Sequence, residues 1–203
     1  MLNAKAPGED GNLVGLSDDI IFDQLITLGI AGSDTTANTL SWILYLLDKH
    51  PGIHRRVLQE LANADITPDQ PVSVKQANSL KYLTQVIKEI LRMFPPVPAL
   101  SKTCGKTCVL PGGYIAYEGM RGLINVWSLH HNEKVYPDAY SFNPDRFSEE
   151  NAKSIPEGAW LPFSSGPRAC LGMSVAMIEM RVVLARLLSK YEFPDGWRQR
   201  GHV

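Results

Sequence analysis

Ten residues constrain this chain more than any other stretch: Phe163-Ser164-Ser165-Gly166-Pro167-Arg168-Ala169-Cys170-Leu171-Gly172. Apolar residues then recur at near-helical spacing over residues 174–190, at Val175, Ile178, Val182, Leu184, Ala185 and Leu188. The pattern is a glycine-hinged loop that hands one cysteine to the start of a helix. A sulfur placed there meets backbone N–H groups without helical partners and the positive end of the helix dipole. Both suit an anionic sulfur. Gly166 can turn the chain where a Cβ would clash. Arg168 can offer paired donors to a carboxylate. A small buried cysteine beside a packing helix would leave the same Cys-x-Gly trace, since free cysteines are commonly buried.

Helical periodicity dominates the rest of the chain. Ser17 suits an N-cap, and Asp18 and Asp19 suit a first turn. Apolar residues continue to Leu47, which predicts a helix of about 30 residues that stops at His50 before Pro51. Gly29, Gly32 and the hydroxyls of Ser33, Thr35 and Thr36 weaken its middle. Pro51 can open a second helix through Val57, Leu58 and Leu61. Residues 63–74 read as a polar, proline-bearing connection. A third helix is expected over residues 79–93, with Leu83, Ile87, Ile90 and Leu91 on one broad face. Beyond Pro95-Pro96 the pattern changes. Val109-Leu110-Pro111-Gly112-Gly113-Tyr114 reads as strand, tight turn and strand. Residues 125–131 suit one short helix, and residues 131–160 a proline-punctuated meander.

With 203 residues the chain can bury a sizeable core. A net charge of −1 gives no whole-chain electrostatic case for nucleic acid. Three cysteines do not suggest a disulfide scaffold. Residues 1–19 carry no signal-peptide core, and no run of 18 apolar residues occurs. Cys104 and Cys108 have no second ligand pair at metal-site spacing, so they read as strand or loop cysteines. Gly105-Lys106-Thr107 mimics the end of a phosphate loop, but Leu100 stands where its first glycine would be. The adjacent pair His130 and His131 reads as surface or packing histidines.

The cysteine loop resembles the haem-binding signature of the cytochrome P450 superfamily, and three further segments match that family in order. Ala31-Gly32-Ser33-Asp34-Thr35-Thr36 resembles its oxygen-activation segment. Glu89-Ile90-Leu91-Arg92 resembles its Glu-x-x-Arg motif. Phe142-Asn143-Pro144-Asp145-Arg146-Phe147 resembles the segment that gives that glutamate a second arginine. The resemblance runs from about residue 17 to residue 193. It is nearest to the eukaryotic microsomal branch, with a fungal source as one reading.

The resemblance implies a mainly α fold: the C-terminal haem-binding half of the P450 fold, with a small β-sheet, as one partial domain over residues 1–203. Members are far longer, and they add a short sheet after residues 191–193, where this chain ends at Gly201-His202-Val203. The chain therefore reads as a fragment or truncated product. Haem b is the implied cofactor, with Cys170 as the metal ligand, because a thiolate is a strongly donating axial ligand. Phe163, Gly166, Gly172, Ala31 and Gly32 would border the haem. Arg168 and Lys102 would bind its propionates. Asp34 and Thr35 would deliver the protons that splitting dioxygen consumes; a helix kink with ordinary threonine back-bonding is the plainer account of those two residues. Glu89, Arg92 and Arg146 would form a buried structural network. Leu28, Val97, Ala99 and Leu100 would face the substrate.

The implied reaction inserts one oxygen atom into a small apolar substrate, with electrons from NADPH through a cytochrome P450 reductase. Arg168, Arg181, Arg186 and Lys190 would be the docking face for that partner, or a solvated helix face. The implied place is the cytosolic face of the endoplasmic reticulum. Two alternatives stay open: a non-catalytic remnant with weak or no haem binding, and a peroxide-rearranging haem-thiolate enzyme, against which the Asp34-Thr35 pair argues.

Overall fold

The computed structural model describes residues 5–7, 13–191 and 193. Glu192 and the final Gly201-His202-Val203, on which the early ending was read, lie outside the described residues. The chain divides into two compact units, Met1–Ala37 and Asn38–Val203. Its architecture is mainly helical with small antiparallel sheets, as expected.

In the first unit, strands β1 (Lys5–Pro7) and β2 (Leu13–Gly15) pair antiparallel, with Lys5 opposite Gly15. Helix α1 (Asp18–Lys49) begins there. Ser17 caps it: its hydroxyl lies 3.5 Å from the Ile20 N–H and its carbonyl accepts from Ile21 N–H at 3.0 Å. The glycines and hydroxyls do not interrupt the helix. Ser33 Oγ donates to the Gly29 carbonyl at 2.9 Å and Thr35 Oγ1 to the Ala31 carbonyl at 2.8 Å, so the expected weakness takes the form of back-bonding. Phe22, Leu25, Ile26, Leu28 and Ile30 are exposed.

In the second unit, α1 closes before His50, and Pro51 takes the first position of α2 (Pro51–Asn63), where a missing N–H costs nothing. The core joins Ile43 and Leu47 of α1, Val57 and Leu61 of α2, and the apolar face of α4 (Lys81–Met93) to Met180, Leu184, Ala185 and Leu188 of α6 (Met173–Lys190). Each of these side chains larger than alanine contributes about 1.5–3 kcal/mol on burial. Helix α4 is the central element, with nine of its 13 residues buried. On α6 the core face is narrower than the sequence pattern implies: Val175 is exposed, and Met180, which the spacing did not single out, is buried.

The helix expected over residues 79–93 forms as α4, beginning two residues later, at Lys81. A short helix α3 (Val74–Ser79) precedes it, and buried Leu80 turns the chain before α4. A capping box starts α3. Ser73 Oγ accepts from Gln76 N–H at 3.2 Å, and Gln76 Oε1 accepts from Ser73 N–H at 3.1 Å. Helix α4 has no side-chain cap from Leu80. Glu60 of α2 supplies it instead, accepting from Tyr82 N–H at 2.7 Å and Leu83 N–H at 2.8 Å with its two oxygens. A carboxylate is well placed there, since it satisfies orphan donors and faces the positive helix end.

Strands β3 (Ala99–Thr103) and β6 (Arg121–Asn125) pair antiparallel, and β4 (Cys108–Val109) and β5 (Ile115–Ala116) form the expected hairpin. Its turn uses Gly112 and Gly113 at φ 85° and 83°, a region glycine enters freely. Asn125 then caps α5 (Val126–His130), its side chain accepting from Ser128 N–H at 2.9 Å. The meander that follows carries single 3₁₀ turns at Pro144–Phe147 and Asn151–Ser154. No described helix is long and apolar enough to cross a membrane.

Candidate functional site

The cysteine loop is a set of nested turns. Ser164 N–H donates to the Leu161 carbonyl at 3.2 Å, Ala169 N–H to Gly166 at 3.0 Å, and Cys170 N–H to Phe163 at 2.8 Å. Two residues adopt positive φ, Ser164 at 60° and Gly166 at 73°. The serine conformation costs on the order of 1 kcal/mol, strain of a kind that gathers at functional sites. Nothing lies within 4 Å of a Cβ built on Gly166, so conformation rather than space calls for glycine there. A Cβ on Gly172 would make only an ordinary contact, 3.9 Å, with Cys170 Sγ. Arg168 closes a 3₁₀ turn, and Gly172 precedes α6. Cys170, Arg168 and Leu171 are all exposed, and among the described residues neither the Cys170 thiol nor the Arg168 guanidinium has a hydrogen-bond or ion-pair partner. Phe163 is half-buried against the core and meets Trp160 edge-on at 6.2 Å.

Below the loop lies a buried ion network. Glu89 and Arg92 are both fully buried, and they form a bidentate pair: Nε to Oε2 at 2.7 Å and Nη2 to Oε1 at 2.8 Å. Glu89 Oε1 also accepts from Asn143 N–H at 3.0 Å. Arg146 Nε stands 3.4 Å from the same oxygen, an ion pair without hydrogen-bond alignment. Arg92 Nη1 donates onward to the carbonyls of His130 at 2.9 Å and Ala139 at 2.7 Å. The pair and its backbone partners grip the meander, and this is why Glu89 and Arg92 can be buried together, with Arg146 half-buried beside them.

His130, read from the sequence as a surface or packing residue, is fully buried and hydrogen-bonded through both ring nitrogens. Burial pushes its pKa down to about 4. His131 differs: it stacks on Trp127 with centroids 4.3 Å apart, and burial lowers its pKa too. Nothing in an adjacent pair of histidines told the two apart. The basic residues of α6 also divide. Arg181 bonds Asn78, and Arg186 clasps the carbonyls of Thr67, Pro68 and Gln70, so these two also brace the fold.

Asp34, Ala31 and Gly32 are exposed on the first unit's part of α1, with Thr35 half-buried. In β3, Lys102 is exposed opposite Gly122. Alternation puts Ala99 on the opposite sheet face from Leu100 and Lys102, so the two apolar residues do not share one wall. Val97 is exposed just ahead of the strand.

A family profile for cytochrome P450 matches residues 1–196. The chain belongs to the cytochrome P450 family. Cytochrome P450 4F12 of Homo sapiens is 41% identical over 190 residues, which cover 92% of this chain and 36% of that protein. Cytochrome P450 4F3 of Homo sapiens is 42% identical over the same length and shares. Cytochrome P450 4F4 of Rattus norvegicus is 40% identical over 191 residues, 92% of this chain and 36% of the relative. The chain thus spans about a third of the length of the curated relatives it matches.

For a P450 the implied group is haem, and the residues present fit it. The Cys170 thiol is a soft donor with no competing partner among the described residues. Two residues earlier, the exposed Arg168 can meet a carboxylate arm. Leu171 and Met173 bring apolar surface beside the sulfur.

Proposed function

We propose that this chain is the haem-binding part of a haem-thiolate monooxygenase, with Cys170 as the proximal ligand. One observation carries the reading: the cysteine directly ahead of α6 stands exposed, with no partner among the described residues, on a strained, multiply bonded loop of a P450. When bound, haem supplies the redox chemistry: with two electrons and two protons, one atom of dioxygen enters a C–H bond and the other leaves as water.

The protein's part is to bind, orient and supply protons. Cys170 would hold the metal through its sulfur. Arg168 would pair with a propionate, and Lys102 would offer a second, single-point charge. The Phe163 carbonyl fixes the Cys170 amide while its ring stays with the core, so the sulfur's position is set by backbone. Asp34 would relay protons from water, and the Thr35 hydroxyl would hold a water at the site. Ala31 and Gly32 leave room for small ligands. Leu28, Val97 and Leu100 present apolar surface to the substrate. Electrons arrive from NADPH through a reductase, and the reaction takes place at the cytosolic face of the endoplasmic reticulum.

The exposed apolar side chains of Phe22, Leu25, Ile26 and Ile30 favour a second reading, a remnant that self-associates and turns over slowly or not at all. Supplying labelled dioxygen, NADPH, a reductase and an apolar substrate to the haem-loaded chain separates the two. We expect slow turnover that places one labelled atom in an alcohol. Haem uptake without any labelled product supports the remnant, and a rearranged peroxide formed without reductase supports the other enzyme class.

A further inference from the structure

We propose that His130 is a positioning residue for the cysteine loop: one neutral imidazole ties the end of α4 to the backbone N–H that opens the loop, and so couples the Glu89–Arg92 pair to the placement of Cys170. The inference deepens the haem-thiolate reading and rests on it for its consequence, but the geometry stands without it. His130 Nδ1 lies 3.1 Å from the Arg92 carbonyl, and Nε2 lies 2.9 Å from Leu161 N. A carbonyl only accepts, so Nδ1 carries the hydrogen. An amide N–H only donates, so Nε2 is bare. The two partners together select a single neutral tautomer, and an imidazolium, with two donors, breaks the second bond. The low pKa of about 4 that burial imposes agrees with that choice.

The grip is reciprocal, because Arg92 Nη1 donates back to the His130 carbonyl at 2.9 Å. Leu161 is also the last of three successive residues held by side chains. Tyr136 OH donates to the Ala159 carbonyl at 3.1 Å, and Trp160 Nε1 to the Lys88 carbonyl at 3.2 Å. Two residues further on, the Phe163 carbonyl takes the Cys170 N–H at 2.8 Å. Of the three contacts, only the one to Leu161 can be broken by acid. The charged and titratable groups acting on His130 are Arg92 on α4 and His131 beside it; behind that Arg92 stand its partner Glu89, which Arg146 also approaches, and the Tyr136 ring, while Trp160 and Leu161 bring none.

Amide hydrogen exchange on the full haem-free chain tests this, because it reads the loop whether or not sulfur binds iron. His130→Phe should speed exchange at Leu161 and Cys170 by about ten-fold or more, while residues 83–91 change by less than about two-fold. His130→Gln, which keeps one donor and one acceptor, should recover most of the protection. The wild-type chain gives a second arm that needs no variant to fold. A released imidazole binds a proton below about pH 6.5, whereas the held one resists until about 4. Protection of Leu161 should therefore be full above pH 6.5 and fall as pH drops towards 4, after correction for intrinsic rates. Glu89 is common to all variants, so an acid step missing from His130→Gln belongs to the imidazole. Unchanged Leu161 protection in His130→Phe, or the same acid step in His130→Gln, would overturn the proposal. A failed ligand assignment would show instead in the optical spectrum, with the exchange pattern intact.

Discussion

Glu89→Ala should cost this chain on the order of 3–5 kcal/mol and its capacity to take up haem. Both oxygens of Glu89 are engaged: by the Arg92 guanidinium, the Asn143 N–H and the nearby Arg146. With the carboxylate gone, a fully buried guanidinium keeps its bonds to His130 and Ala139 but loses its counter-charge. An exposed pair at the same spacing would be worth about 0.3–0.5 kcal/mol, so burial decides the size of the effect. The meander should loosen first, because Asn143 and the 3₁₀ turn at Pro144–Phe147 hang from Glu89. Urea unfolding and haem titration of purified variants measure both effects. Glu89→Gln should lie between alanine and wild type, since the amide can still accept but carries no charge. An unchanged midpoint with full haem stoichiometry in Glu89→Ala would mean that the network holds nothing.

Cys170→Ser should do the opposite: leave the haem-free fold intact and remove the metal ligand. The Cys170 side chain is exposed and makes no described contact that stabilises the chain, while its amide bond to Phe163 survives the substitution. The expected change in haem-free stability is within about 0.5 kcal/mol. Haem affinity should fall by orders of magnitude, because a neutral hydroxyl replaces a thiolate as axial ligand. A variant that keeps wild-type colour and iron content would remove sulfur from the site. The contrast between the two substitutions separates the scaffold from the ligand it presents.

The long elements were legible because helical periodicity and proline stops are local signals. They placed α1 from Ser17 to His50, α2 at Pro51 and α6 behind the loop, and Pro111-Gly112-Gly113 marked the hairpin. The short helix α3 was missed, although Ser73 and Gln76 carry a capping signature in plain sequence. Other features were not local at all. Glu60 caps α4 from another helix, and Arg186 reaches carbonyls more than a hundred positions away. His130 looks like its neighbour until the fold buries one and stacks the other. Charge spacing suggested that Glu89 and Arg92 share a face, but only the family resemblance suggested burial and brought in Arg146.

The most direct test of the account is the absorption spectrum of the reduced, carbon-monoxide-bound chain after haem loading. Thiolate ligation through Cys170 predicts a strongly red-shifted main band that disappears in Cys170→Ser. A band at the ordinary position of histidine-ligated or unligated haem in the wild-type chain, or one indifferent to that substitution, would contradict it.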